Sequence, residues 1–447
     1  MADIENKAKA KTKAFYITAR ELAELGKDNI PDELLSAKHL IYSSPATLAF
    51  NSPGAQGFGV KRAGLSVPES VMLLVAPACC GRNTSTLRAE SSYGDRFFYL
   101  LLDDTDIVTG RHLSKIPKAV EEVCQSLDYT PSAVMICITC VDALLGTDME
   151  RVCRKSSQRV NVPVVPCYMY ALTREKKLPP MAAVRKSVYS LLKPQKRRSD
   201  EINIMGYFSP LQEDCELYEL MASAGVKKIR ELSRCKTFEE YEQMSRANFS
   251  LVLDPEARYA AQDMEERLGI PSIELLRLFQ LDKIHNQYKL LGQAIGADLD
   301  DSVYYDETMQ AIEAFKAKHG KLRFAVGEFS NCDPIETSLA LIRYGFEVKE
   351  IFCTVGERNF AFVKKIAQLS PETKIYSNLS PTMLYYEPCD DIDAYIGKDC
   401  KYYHPECKGA DFCGEVQPFG YAGVKKLFRE LDNALCYDDK NEKGAKK

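Results

Sequence analysis

Cysteine stands at two places in this chain where a hydrophobic strand gives out and a helix begins. Val71-Met-Leu-Leu-Val75 runs into Ala76-Pro-Ala-Cys79-Cys80-Gly81, and Ala133-Val-Met-Ile-Cys-Ile138 runs into Thr139-Cys140-Val-Asp-Ala. In an open parallel α/β sheet, ligands collect at the carboxyl ends of the strands, and a helix N-terminus favours thiolates and anionic clusters through its unpaired N–H groups. Cys80 and Cys140, with Cys79 as a replacement or extra ligand, therefore read as ligands of an iron–sulfur cluster. One chain offers two or three such thiols where a simple 4Fe-4S cluster takes four. Two paired chains, like or unlike, would complete the set across a subunit interface.

A second group of soft ligands lies late in the chain. Cys389, Cys400, Cys407 and Cys413 crowd between Pro388 and Gly414 with His404 among them, separated by ten, six and five residues, and Cys332 follows a strand in Gly327-Glu-Phe-Ser-Asn-Cys332. Thiolates with one imidazole suit zinc or an iron–sulfur centre, which makes these six residues a candidate second metal site. The spacing matches no standard finger, and the competing reading is that free cysteine packs as a small hydrophobe. Cys137-Ile-Thr-Cys140 has the form of a thiol redox pair, but Cys137 falls inside its strand. Cys124, Cys153, Cys167, Cys215, Cys235, Cys353 and Cys436 read as core, and His39, His112, His285 and His319 show no ligand spacing. No catalytic acid stands out. Asp254, Glu328, Asp333, His404 and Glu415 all sit in loops from which a proton could be delivered.

The elements that must position these groups alternate between strand and helix. Apolar runs at Val71–Val75, Phe97–Leu102, Val134–Ile138, Val162–Val165, Ile202–Met205, Leu251–Leu253, Arg323–Val326, Val348–Phe352 and Ala394–Ile396 predict buried strands. Helical patterns such as Ile116–Leu127, Cys215–Ala224, Tyr259–Leu268, Ser330–Tyr344 and Phe360–Gln368 lie between them, so the fold class is α/β with mostly parallel sheets. The polar, proline-bearing stretch Lys193–Glu201 predicts one linker, and Gly292–Asp301 a second boundary. The domains expected are thus 1–197 with the bridging-cluster cysteines, 198–300, and 301–447 with the cysteine-rich segment. The N-terminal segment to about Leu25 reads as a surface helix, and the tail from Asp438 as a charged end.

Composition narrows the class further. With 59 Lys and Arg against 63 Asp and Glu the net charge is −4, so no general basic field for nucleic acid exists. The N-terminus carries no apolar signal, and no run approaches the roughly 18 apolar residues of a membrane span. A cytoplasmic protein with no membrane contact is expected. Sixteen cysteines in 447 residues then read as reduced thiols and metal ligands rather than disulfides.

Four motifs in order carry a resemblance. Pro77-Ala-Cys-Cys80-Gly, Asp104-Thr-Asp-Ile-Val-Thr-Gly110-Arg-His, Ile138-Thr-Cys140-Val-Asp-Ala-Leu-Leu-Gly-Thr-Asp148 and Gln417-Pro-Phe-Gly420-Tyr-Ala-Gly423 resemble segments of nitrogenase component 1. The resemblance implies three Rossmann-like domains around a central cleft, paired subunits with an iron–sulfur cluster at their interface, and electrons delivered by a separate ATP-dependent iron protein. It also implies oxidoreductase chemistry on a small-molecule or tetrapyrrole substrate, in an anaerobe. The departures matter as much. Where nitrogenase has a further cluster cysteine upstream, this chain reads Phe50-Asn-Ser-Pro-Gly-Ala55, which argues against the eight-iron cluster. The family's molybdenum-cofactor cysteine and histidine would fall near Leu253-Asp254 and Ala410, and neither is present. Reduction of another substrate, or a scaffold role in assembling a metallocluster or tetrapyrrole cofactor, is expected in place of dinitrogen reduction.

Overall fold

Three mostly parallel sheets carry the fold in the computed structural model, which describes residues 13–35, 59, 62–78, 94–139, 145–168 and 178–437. The first sheet has the order Phe97–Leu101, Val71–Ala76, Val134–Ile138, Val164–Tyr168, all parallel. Its two central strands are buried along their whole length, because every side chain in them is apolar and both faces are covered. Alternate residues serve opposite cores. Met72, Leu74 and Cys137 join the cluster that includes Val184 and Val188 of helix Pro180–Tyr189. Val71, Leu73 and Ile136 join the one that includes Val120 of helix His112–Ser126 and Val152 of helix Met149–Val160.

The second sheet repeats that strand order with Lys228–Glu231, Glu201–Met205, Phe249–Val252 and Ser272–Glu274. In both, the first strand in sequence lies inside, the second pairs on one side, and the third and fourth follow on the other. Connections that leave on opposite sides open a crevice between the carboxyl ends of the first and third strands. The third sheet is larger, with the order Tyr16–Thr18, Lys374–Tyr376, Glu347–Phe352, Arg323–Gly327, Ala394–Ile396, Lys408–Ala410. Its reversal falls between Arg323–Gly327 and Ala394–Ile396.

Contacts divide the chain into two units. Pro53–Pro210 with Gly225–Leu276 holds the first two sheets, and Met1–Ser52 with Leu211–Ala224 and Arg277–Lys447 holds the third. Strands of the first sheet fall before 197 and those of the second between 197 and 300, but the third sheet takes Tyr16–Thr18 from the N-terminal segment as well as strands beyond 300. Helices Glu216–Ser223 and Leu281–Ile295, however, fall in the unit of the third sheet, joined there by Tyr288 donating to the buried Glu216 carboxylate at 2.6 Å. The segment expected to be helical to about Leu25 opens instead with strand Tyr16–Thr18, antiparallel to Lys374–Tyr376, before the short helix Ala19–Leu25. Thr18 and Glu21 form a capping box at that junction, a local signal that stops the strand and starts the helix. The stretch Lys193–Glu201 is pinned rather than free: Arg198 N–H donates to the Arg246 carbonyl at 2.8 Å and Gln195 to the Glu242 carbonyl at 3.0 Å. Among the described residues no helix is long and apolar enough to cross a membrane.

Candidate functional site

The first sheet's crevice lies between the ends of Val71–Ala76 and Val134–Ile138, where Val75 stands opposite Ile138. Cys79, Cys80 and Cys140 lie outside the described residues, but the backbone that leads to them is well defined. The Tyr99 hydroxyl donates to the carbonyls of Ala76 at 3.0 Å and Pro77 at 2.7 Å, and Leu102 N–H donates to Ala76 at 3.0 Å. The strand before Cys79 is therefore held by its neighbour to within two residues of the thiol. On the other side Thr139 is buried, and its hydroxyl oxygen has no hydrogen-bond partner among the described residues. Buried polar atoms are nearly always satisfied, so an orphan beside Cys140 fits a site that takes a group from outside the chain.

The motif after Phe97–Leu101 closes round one carboxylate. Asp106 is buried and accepts from Arg111 Nε at 2.8 Å, from the Lys115 ammonium, and from the Asp103 N–H at 3.3 Å, so its carboxyl is held well below the usual range, most strongly by Lys115. The Asp106 carbonyl lies 3.1 Å from Nδ1 of buried His112, whose Nε2 lies 3.4 Å from the Thr147 hydroxyl. Asp148 then caps helix Met149–Val160 by accepting from Arg151 N–H at 3.0 Å. Thr147 and Asp148 thus serve as a helix start tied back to the acidic motif.

The second sheet's crevice is filled by an ion pair. Arg185, 4% exposed, donates to the Gly206 carbonyl at 2.8 Å, to Asp254 at 3.1 Å and to Glu256 at 2.7 Å. Asp254, one of the expected proton donors, is committed to this contact.

The third sheet's crevice holds two acids. Glu328, just past Arg323–Gly327, accepts from Thr354 N–H at 3.1 Å and from Asn378 Nδ2 at 3.1 Å. Asp399, fully buried in helix Lys398–Tyr403, accepts from the N–H groups of Glu328 at 3.0 Å and Phe329 at 3.3 Å and from Asn378 Nδ2 at 2.6 Å. Gly327 is required here, because a Cβ at that position would lie 2.0 Å from Asp399 Oδ1. Burial, reinforced by the neighbouring Asp399 charge, pushes Glu328 up to about 7, and burial pushes Asp399 up to about 6. Of the expected proton donors, Asp333 is the N-cap of helix Pro334–Arg343, and His404 is paired inside the core with Glu350 at 3.0 Å. Glu328, an expected donor, and Asp399, which was not, both combine a crevice position with a raised carboxyl.

The second metal centre expected from the late cysteines is not assembled by these side chains. Among the described residues, no three of Cys332, Cys389, Cys400, Cys407, Cys413 and His404 bring donor atoms within 4.8 Å of one another. Cys400 is fully buried in an aromatic cluster with Phe352, Tyr376 and Tyr403, and Cys389 and Cys407 pack against it. Cys407 donates to the Ile392 carbonyl at 3.3 Å, and Cys332 lies 3.0 Å from the Ser330 hydroxyl. Burial pushes the Cys400 thiol well up and Cys332 up to about 11, so both are protonated in the metal-free chain. The physical reason is composition: the rings of Phe352, Tyr376, Tyr386 and Tyr403 pack on one another in this segment, and cysteine packs among them as an apolar residue.

The Gln417–Gly423 motif is structural as well. Gly420, at φ +58°, opens helix Gly420–Cys436, and the buried Glu216 carboxylate accepts from Tyr421 N–H at 2.7 Å and Ala422 N–H at 3.0 Å. A Cβ on Gly420 would lie 1.8 Å from Glu216 Oε1. Arg277 joins Gln417, at 2.8 Å, to the Asn331 carbonyl, at 2.7 Å. Sequence reasoning missed Arg185, Glu216, Asn378 and Asp399, whose partners lie far away in the chain. Only Asp399, three residues past the Ala394–Ile396 run, carried a local signal.

Known proteins resemble this chain over most of its length. The family model for nitrogenase component 1 type oxidoreductases matches residues 55–392. The nitrogenase iron-molybdenum cofactor biosynthesis protein NifE of Nostoc sp. is 26% identical over 216 residues, 46% of this chain and 44% of the relative. The protein of the same name from Methanococcus maripaludis is 26% identical over 277 residues, 59% and 55% of the two chains. The chain thus spans about half the length of the curated relatives it matches. A solved structure described as nitrogenase Cp1 at pH 6.5 superimposes with a TM-score of 0.67 at 15% identity, covering 91% of this chain and 96% of the other. With the α/β sheets and the ordered motifs, the match over residues 55–392 establishes that the chain belongs to the nitrogenase component 1 type oxidoreductase family.

Proposed function

We propose that the chain is one half of a paired component 1 type assembly that holds an iron–sulfur cluster through Cys80 and Cys140, with Cys79 as an alternative ligand. The observation that carries this reading is the first sheet's register: the strands leading to the two thiols are hydrogen-bonded neighbours, Val75 opposite Ile138, on either side of the strand-order reversal. Two thiolates from each of two chains give the ligand set of a 4Fe-4S cluster. Bound there, such a cluster would supply one-electron transfer at low potential. The protein's share is positional. Tyr99 fixes the strand exit before Cys79, Thr139 offers an unspent hydroxyl beside Cys140, and the Asp106 knot ties the loop after Cys140 to its neighbour through His112 and Thr147. An ATP-dependent iron protein is the electron donor this reading requires. Glu328 and Asp399 supply a buried store for one proton on the route to a small-molecule or tetrapyrrole substrate.

The curated relatives are named for cofactor biosynthesis, which favours a second reading, a scaffold that carries a metallocluster or tetrapyrrole during cofactor assembly. Anaerobic reconstitution with iron and sulfide, followed by electron paramagnetic resonance, tests the shared part. The signal should vanish in Cys80→Ala and Cys140→Ala, and an undiminished signal in either defeats the assignment. Repeated turnover with an iron protein, ATP and reductant would support the oxidoreductase. Stoichiometric transfer of bound cargo to another apoprotein would support the scaffold.

A further inference from the structure

Away from all three crevices, one set of ligating atoms converges. Helix Ser302–His319 ends at His319, and helix Gly420–Cys436 carries Asp432 and Cys436 four residues apart on one face of its last turn. His319 Nε2 lies 2.6 Å from Asp432 Oδ1, Cys436 Sγ lies 3.6 Å from the same oxygen, and all three donor atoms fall within 4.8 Å of one another. Among the described residues this is the only such group of three.

We propose that His319, Asp432 and Cys436 form a binding site for a divalent metal ion of the zinc type, with water in the fourth position. One imidazole nitrogen, one thiolate and one carboxylate are zinc's usual donors, at about 2.0–2.3 Å, and tetrahedral bonds of that length set the donors about 3.3–3.7 Å apart. The sulfur–carboxylate distance already lies in that range, and the imidazole–carboxylate pair needs to open by under about 1 Å. A neutral imidazole, a thiolate and a carboxylate also balance the ion's two charges. Both helices end here, and the unpaired carbonyls of a helix C-terminus favour a cation.

A cation already sits at this place in the chain: the Lys318 ammonium donates to both Asp432 oxygens, at 2.7 and 2.9 Å. Lys318 is half exposed and can swing into water, whereas His319 is backed by aromatic packing. The His319 ring lies tilted 4.7 Å from Phe315, and Phe315 meets Phe428 edge-on at 5.1 Å across the two helices. A cavity of about 260 Å³ lined by Phe315, Lys318, Phe428 and Asp432, with Lys425 and Arg429 at its wall, opens beside the Asp432 carboxylate. The metal would take the place of the Lys318 ammonium and of the Cys436 proton, which leaves to water.

The test is zinc content of the full-length protein, equilibrated anaerobically with buffered zinc chloride and dialysed, with iron measured on the same samples. Wild type should hold one zinc more than Cys436→Ser or His319→Gln, at equal iron and unchanged helical circular dichroism. Zinc-edge X-ray absorption should show one sulfur beside lighter donors. Lys318→Met removes the competitor and leaves all three ligands, so it should keep the zinc and bind it more tightly. Equal zinc in wild type and both ligand variants, or a shell without sulfur, overturns the site. Loss of iron in Cys80→Ala and Cys140→Ala is a separate readout, so failure here and failure of the cluster assignment are distinguishable.

Discussion

The first and second sheets occupy one unit, share one strand order, and treat the crevice that this order creates in opposite ways. In the second, Arg185 reaches across from helix Pro180–Tyr189 to bind the Gly206 carbonyl after the first strand and Asp254 after the third, closing the crevice with the protein's own charges. In the first, no comparable cation spans Pro77 and Thr139 among the described residues. The strand exit is held from the side by Tyr99, and the Thr139 hydroxyl is left unpaired. The third sheet stands between these cases, since its two acids face one another with a shared amide and no cation. Comparable reversals thus yield a crevice closed by an arginine, a pair of buried acids, and a strand exit that no cation spans among the described residues. The lesson is that the reversal point supplies only a place, and the side chains at the two strand ends decide what it does.

The sharpest way to break the third crevice is Gly327→Ala. The added methyl would lie on the Asp399 carboxylate, so the strand or the acid must move, and overpacking beside a lost buried hydrogen-bond set costs about 3–5 kcal/mol. Urea unfolding followed by circular dichroism measures it, and a change below about 1 kcal/mol would mean that the two acids are not held as described. Arg185→Met tests the seal of the second. It keeps the unbranched stem but removes the guanidinium and strands the Gly206 carbonyl and two carboxylates, which are partly exposed and can recover water, so a loss of about 2–3 kcal/mol is expected. Iron content should be unchanged if the two crevices are independent.

Glu328→Gln distinguishes a proton store from a structural acid by its pH dependence. Because Glu328 is raised from 4.5 to about 7 when folded, the native state holds its proton more tightly than the unfolded chain. Its favourable contribution is therefore complete below pH 4.5 and declines as pH rises to about 7, where burial of the charge must be met. Asp399 shifts in the same direction. The glutamine variant should flatten this slope and, discounting the partly open position, gain about 2 kcal/mol relative to wild type at neutral pH. A slope unchanged by the substitution would remove Glu328 from the proton route.

Much of this arrangement was legible from residue order alone, for reasons visible in particular elements. Val71–Ala76 and Val134–Ile138 announce themselves as uninterrupted apolar runs, and that is also why the thiols after them could be placed at strand ends. Lys228–Glu231, Ser272–Glu274, Lys374–Tyr376 and Lys408–Ala410 carry charge or have only three or four residues, and they take strand form because a neighbouring strand offers its edge. The acids at the third crevice meet across about seventy residues of chain, a separation to which no local pattern is sensitive. The cysteine-rich segment misled for the opposite reason. Its spacing drew the eye, while the rings that bury it are spread from Phe352 to Tyr403.

Tyr99→Phe is the mildest change and bears most directly on the contrast between the first two crevices. It removes a hydroxyl that donates to two carbonyls at a position 38% exposed, where water can replace it, so the stability loss should be about 1 kcal/mol. The effect on the cluster should be larger in proportion, because the same hydroxyl fixes the backbone two residues before Cys79 and the second sheet's cationic clasp has no equivalent here. After anaerobic reconstitution the variant should take up iron to a normal level yet lose it faster than wild type on exposure to a chelator, read by the decay of visible absorbance. Arg185→Met should leave that decay unchanged despite its greater cost in stability. Equal decay in wild type and Tyr99→Phe would show that the strand exit is steadied from elsewhere, and would reduce the contrast between the two crevices to their charges.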